Sequence, residues 1–274
     1  MKIENSKLKI IFFGTPDFAM PVLEALVKNG YNVSHFRSKF LKDEAIFDEF
    51  KKLNPDLCVV AAYGKIIPKR YLEVPKYGFV NVHPSLLPKY RGPSPVQTAI
   101  LIGDAETGTS IMVVYEKVDH GPILAQKTYN LPIRQAQGPE FIEGQPTTYN
   151  LQASEELFEL GAKLLIETLP KYVSGEIKPE PQDHGQATFT RMFTREDGRI
   201  NWSNPPEEIY NRIRAFNPEP GTWTTWKGKT INIKRAEFVG GKLQIQTIQI
   251  EGKKEMPFKE FLNGYPDFDI SQLK

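Results

Sequence analysis

One cysteine, Cys58, in 274 residues leaves no partner for an internal disulfide, which points to a reducing compartment. With only four scattered histidines beside it, no zinc-ligand spacing exists, so no metal is expected. No apolar run is long enough to cross a bilayer. The opening Met1-Lys2-Ile3-Glu4-Asn5-Ser6-Lys7 lacks the apolar core and small-residue cleavage site of a signal peptide. A cytoplasmic protein with no membrane partner is expected. A dominant charge is missing too: 35 basic residues against 33 acidic ones give a net charge of +2. That balance is compatible with a nucleic-acid partner but lacks the basic stripe that would argue for one. There are no repeats and no low-complexity tract. The Gly-x-Gly-x-x-Gly turn of a dinucleotide-dependent oxidoreductase is absent as well. The first strand is followed by Gly14-Thr15-Pro16-Asp17, where Pro16 does not provide the glycine that pyrophosphate approach needs.

What is present suits one large and one small domain, given the length and an apolar share of 40%. Residues 8–13 form a short apolar run closed by Gly14, which predicts a buried strand. Thr15 is placed to cap a helix with Pro16 in its first turn, and Asn29-Gly30 to stop it. Further strands are expected over 33–36, 57–62, 79–83, 109–115 and 123–128, with helices over 43–53, 94–102 and 154–169. This alternation predicts an α/β fold with a doubly wound, mostly parallel sheet, which binds ligands at the carboxyl ends of its strands. Residues 134–146 read as a surface loop. The polar, proline-containing stretch 178–187 reads as a linker. Beyond it, a helix after Pro205-Pro206 and two alternating runs split by Gly240-Gly241 predict a smaller β-rich domain, barrel-like in form. The expected division is 1–178 catalytic, 179–187 linker and 188–274 C-terminal.

Chemistry concentrates in Asn81-Val82-His83, where alternation puts both polar side chains on one face of a strand end. A carboxamide can donate to a developing oxyanion, and an imidazole can exchange a proton near neutrality. Asp119, before His120-Gly121, supplies a carboxylate able to orient that imidazole. Spacing alone favours a blander account, with Asn81 and His83 as hydrogen-bonding groups and Asp119 as a turn residue. The run Glu251-Gly252-Lys253-Lys254-Glu255 reads as a solvated face.

The segment Asn81-Val82-His83-Pro84-Ser85-Leu86-Leu87-Pro88-Lys89-Tyr90-Arg91-Gly92 closely resembles the folate-binding signature of the formyltransferase family. Residues 108–124 resemble its second signature, and 11–18 and 62–68 its other landmarks. Four matches in order reverse the odds set by spacing. Residues 197–203 and 211–218, with the tail over 251–256 and 260–265, are similar to the C-terminal domain of the members that act on methionyl-tRNA. The resemblance implies a Rossmann-like catalytic domain and an OB-like C-terminal domain that binds tRNA. It implies 10-formyltetrahydrofolate as formyl donor and the amino group of initiator methionyl-tRNA as acceptor. Catalytic roles fall to Asn81, His83 and Asp119, and Ser85, Leu86, Leu87 and Pro88 line the folate site. The protein is expected to be monomeric.

The chain departs from the family after its second strand. A basic, glycine-rich loop that reaches the tRNA acceptor end, with a helix and a strand behind it, is missing, and Arg37-Ser38-Lys39 leads almost directly into the next helix. The gap bears on tRNA recognition more than on folate chemistry and leaves a new sheet edge. Arg37, Lys39 and Lys42 read as solvated surface rather than as a substitute loop. Two alternatives stay open on these grounds: a formyltransferase acting on an amino-sugar nucleotide, and a non-catalytic relative that binds folate or tRNA.

Overall fold

The computed structural model describes residues 5–38, 40–131, 149–270 and 273. The loop expected over 134–146 and the side chain of Lys39 lie outside them. The chain divides into two compact units. The first gathers the residues up to Pro95, Glu106–Asn130 and Ser154–Arg191; the second includes Val96–Ala105 and the chain from Met192 on.

The first unit is built on a six-stranded sheet. Its strands are β1 (Lys9–Gly14), β2 (Asn32–His35), β3 (Leu57–Ala61), β4 (Phe79–His83), β5 (Glu106–Val113) and β6 (Ile123–Asn130), in the order β2-β1-β3-β4-β5-β6. The first four run parallel; β5 and β6 join antiparallel. The sheet is therefore mixed but mostly parallel. Central strands β1 and β3 are apolar on both faces because both faces are covered. On one side Ile10, Phe12, Val59, Val80 and Val82 meet Val22 and Leu26 of α1 (Met20–Lys28). Leu165 and Leu169 join them there. On the other side Ile11, Phe13, Cys58, Val60 and Phe79 meet Phe50 of α2 (Glu44–Leu53) and Tyr71 of α3 (Lys69–Leu72).

Thr15 does not cap the first helix. A 3₁₀ turn over Asp17–Ala19 intervenes, and α1 starts at Met20 with Pro21 in its first turn, where a missing N–H costs nothing. The shortened connection after β2 is held by side chains from the loop and helix that follow β3. Tyr63 Oη donates to Ser38 O. Arg70 Nη2 donates to Leu41 O at 3.3 Å and Lys42 O at 3.1 Å, and the same guanidinium pairs with Glu44. Asp43 then caps α2, its Oδ1 accepting from Ala45 N at 2.8 Å. Burial pushes the Tyr63 hydroxyl up to about 12, so it stays a donor.

After α4 (Pro95–Ile102), the helix α5 (Tyr149–Ser174) runs past Pro170, beyond the expected end at 169. Pro170 removes one helical donor. Burial of Val173 and partial burial of Tyr172 against the core carry the helix over it.

In the second unit, α6 (Pro206–Phe216) covers a four-stranded antiparallel sheet in the order β10-β9-β8-β7. Its strands are β7 (Thr222–Trp226), β8 (Lys229–Val239), β9 (Lys242–Ile250) and β10 (Met256–Pro257), followed by α7 (Phe258–Gly264). Ile209 and Ile213 pack on Ile231, Ile233, Ile245 and Ile248. The Gly240-Gly241 turn has φ of 55° and 77°, as a tight hairpin between right-twisted strands requires. Asn217 Nδ2 donates to Ile213 O, Thr222 Oγ1 and Ile233 O, tying helix to sheet. Residues 251–255 are exposed throughout, as a solvated face should be.

Candidate active site

Strand β4 delivers Asn81 and His83 to one sheet face, the side of Phe79, while Val80 and Val82 enter the opposite core. Asn81 is half-buried, and its carboxamide has no hydrogen-bond partner among the described residues. His83 is buried. Its Nε2 lies 3.0 Å from Tyr90 O. A carbonyl only accepts, so Nε2 carries the hydrogen and the ring is fixed by the loop that follows its own strand. The other ring nitrogen, Nδ1, lies 3.7 Å from Asp119 Oδ1. That separation exceeds a direct hydrogen bond, and with Nε2 carrying the hydrogen, Nδ1 donates to Asp119 only when the ring holds a second proton.

Asp119 comes from the loop between β5 and β6. Its φ of 52° is left-handed, a conformation that aspartate tolerates better than most residues. The loop folds back so tightly that a Cβ at Gly121 would stand 1.7 Å from Val113 O. Asp119 Oδ2 accepts from Gly92 N at 2.8 Å, so the second carboxylate oxygen is anchored on the His83 loop. The structure thus brings His83, at the end of a strand, together with Asp119, from a separate loop, and sets Asn81 on the same face as His83.

The 85–88 loop splits its roles. Ser85 is fully buried and donates through Oγ to Lys89 O at 2.7 Å, so its hydroxyl shapes the loop. Leu87 N donates to Ser110 Oγ at 3.1 Å, and Leu87 O accepts from Gln126 Nε2 at 2.9 Å. Leu86 and Pro88 keep partly exposed side chains.

Residues expected as a linker are bonded into this site. Glu180 exchanges two backbone hydrogen bonds with Ile123, at 2.7 and 2.8 Å. Arg91 N donates to Thr188 O at 2.9 Å, and Thr190 N to Arg91 O at 2.7 Å. The Arg91 side chain is 1% exposed and reaches Gln182 Oε1 and His184 Nδ1. Burial lowers the Arg91 pKa from its usual value, and the Asp119 carboxylate opposes the shift. Burial also lowers the pKa of His120, with Arg91, His184 and Lys117 pushing the same way against Asp119. No local pattern in 178–191 marks these residues, because their partners lie far away in sequence. Among the described residues no three His, Cys, Asp or Glu side chains gather into a metal-binding group.

Family models add the comparison that geometry lacks. The formyl transferase model matches residues 14–140, and that of the formyl transferase C-terminal domain matches residues 192–242. A methionyl-tRNA formyltransferase of Roseiflexus sp. (strain RS-1) is 40% identical over 275 residues, taking in 92% of this chain and 80% of the relative. That of Acidobacterium capsulatum is 33% identical over 317 residues, with 94% of this chain and 96% of the relative covered, so the relative carries segments that this chain lacks. Among solved structures, the methionyl-tRNA formyltransferase from Clostridium thermocellum shares the fold, with a TM-score of 0.67 at 23% identity over 89% of this chain and 98% of that one. The chain belongs to the methionyl-tRNA formyltransferase family.

Proposed function

We propose that this protein transfers the formyl group of 10-formyltetrahydrofolate to the amino group of initiator methionyl-tRNA, using Asn81, His83 and Asp119. The carrying observation is the 3.7 Å approach of Asp119 Oδ1 to His83 Nδ1, with the half-buried Asn81 on the same face. The donor supplies an electrophilic formyl carbon and the methionyl amine is the nucleophile. Asn81 donates to the formyl oxygen as negative charge builds there, and the protonated His83 ring stabilises the same charge. Asp119 holds His83 and takes part in moving the proton from the attacking amine to the leaving nitrogen. No covalent bond to the enzyme forms; rate comes from positioning and charge stabilisation. Leu86 and Pro88 offer apolar surface to the donor, while Ser85 and Leu87 set the loop's shape. The half-buried Asn81 carboxamide and the partly exposed loop fit an apolar, hydrogen-bonding donor of this kind.

The chain over residues 188–274 is the tRNA-binding domain in this reading. Its strands are the body of an OB-like barrel: β8 breaks register between Ile233 and Arg235 and again before Ala236, and such bulges bend strands toward closure. The enzyme works as a monomer in the cytoplasm in this reading.

The test is formylation of charged initiator Met-tRNA with 10-formyltetrahydrofolate, comparing wild type with His83→Ala and Asp119→Asn. Wild type should turn over, with each variant slower by about 100-fold or more. A His83→Ala rate within a few-fold of wild type sinks the assignment. Inactive wild type that still binds folate moves the acceptor to another amine.

A further inference from the structure

We infer that Gln182 is a positioning residue for this reaction: it holds the Asp119 turn in register with the His83 loop. The inference rests on the catalytic assignment of Asp119 above. Its own basis is a set of hydrogen bonds made by one side chain. Gln182 is buried and uses all four valences of its carboxamide. Nε2 donates to Asp119 O at 2.9 Å and to Gly121 O at 2.6 Å. Oε1 accepts from Arg91 Nε at 3.1 Å and from Arg91 Nη2 at 2.6 Å.

These four bonds join the two loops that carry the site. Arg91 lies between Tyr90, whose carbonyl accepts from the His83 ring, and Gly92, whose N–H meets the Asp119 carboxylate. Asp119 sits at φ 52°, a backbone state that persists only where its surroundings determine it. Gln182 fixes the carbonyls of Asp119 and Gly121 on either side of the His120 peptide. It does so from a segment that is itself locked by the Glu180–Ile123 pair and the Thr188 and Thr190 bonds to Arg91. A carboxylate's aim depends on its backbone, so release of these carbonyls lets Asp119 swing away from His83.

Gln182→Glu separates positioning from mere packing. The variant keeps shape and keeps an acceptor for Arg91, but has no hydrogen to give the two carbonyls. Expected is a fall in kcat of about 100-fold, with KM for donor and acceptor held within about twofold. Combined with Asp119→Asn, the substitution should add nothing, because its effect runs through that carboxylate. Four histidines make ring assignment in carbon–proton NMR spectra tractable. The His83 ring signal should move in Gln182→Glu while that of His35 stays in place. Wild-type kcat with an unmoved His83 signal overturns the inference, as does an equal loss of rate on the Asp119→Asn background. If Gln182→Glu does not fold, Gln182→Asn, one methylene too short to reach, serves for the same comparisons. Wild type that fails to formylate Met-tRNA overturns the functional reading instead, and the His83 signal then decides Gln182 alone.

Discussion

Substituting Gly161 by alanine should damage the active site from the far side of the sheet. Gly161 lies within α5, where the helix crosses β4 and β5. A Cβ there would stand 2.5 Å from Val82 Cγ1 and 2.7 Å from Thr109 Cγ2. Ordinary carbon contacts are about 3.5–4.0 Å, so about 1 Å must be found. Neither neighbour can easily turn away. Both are β-branched and stiff at χ1, and Thr109 Oγ1 is tied to Leu157 O at 2.8 Å, which keeps its methyl aimed at Gly161. Overpacking of this kind costs about 1–3 kcal/mol, offset by about 1 kcal/mol of helix propensity gained over glycine. The net lies between about zero and a loss of about 2 kcal/mol, a fall in Tm of up to roughly 4–8 °C. Val82 is the residue between Asn81 and His83, so a displaced strand misplaces both functional groups. A shift near 1 Å is worth about 100-fold in rate. Thermal melts and single-turnover formylation measure the two effects. An alanine variant that is more stable than wild type and equally fast refutes the close approach and the coupling built on it.

Asp43→Ala removes the cap of α2 at the shortened crossover and should cost about 1 kcal/mol, read as a lower urea midpoint with an unchanged slope. His120 gives a pH dependence. Its folded pKa lies below the usual value of 6.5, so the unfolded chain binds more protons just below that pH. Stability is therefore full above 6.5 and declines as pH falls toward the folded value. Urea midpoints compared from about pH 7 to about pH 5 should fall less in His120→Gln than in wild type; equal slopes refute the assignment.

Much of the site was legible as sequence. Strand alternation alone places Asn81 and His83 on one face, and the apolar runs at 8–13 and 57–62 can only be buried strands. The Asn29-Gly30 stop and the Gly240-Gly241 turn work within a few residues and are read locally. What escaped was non-local. β7 reads as Thr-Trp-Thr-Thr-Trp, with too little alternation to announce a strand, and is made one by pairing with β8. α5 outran Pro170 because core contacts compensate for a lost backbone donor. Residues 178–187 carry the composition of a linker, yet bond to Ile123, Arg91 and Asp119.

The sequence by itself determined which groups were available: a carboxamide and an imidazole two residues apart on a strand, a carboxylate before a glycine turn, and a sheet alternating with helices. Only the tertiary structure decided that Asp119 meets His83, that Arg91 is buried, and that Gln182 braces both loops. Backbone periodicity fixes direction within one element, through the two-residue repeat of a strand. Contact between loops far apart in the chain depends on how the sheet orders its strands, and no local pattern of residues encodes that.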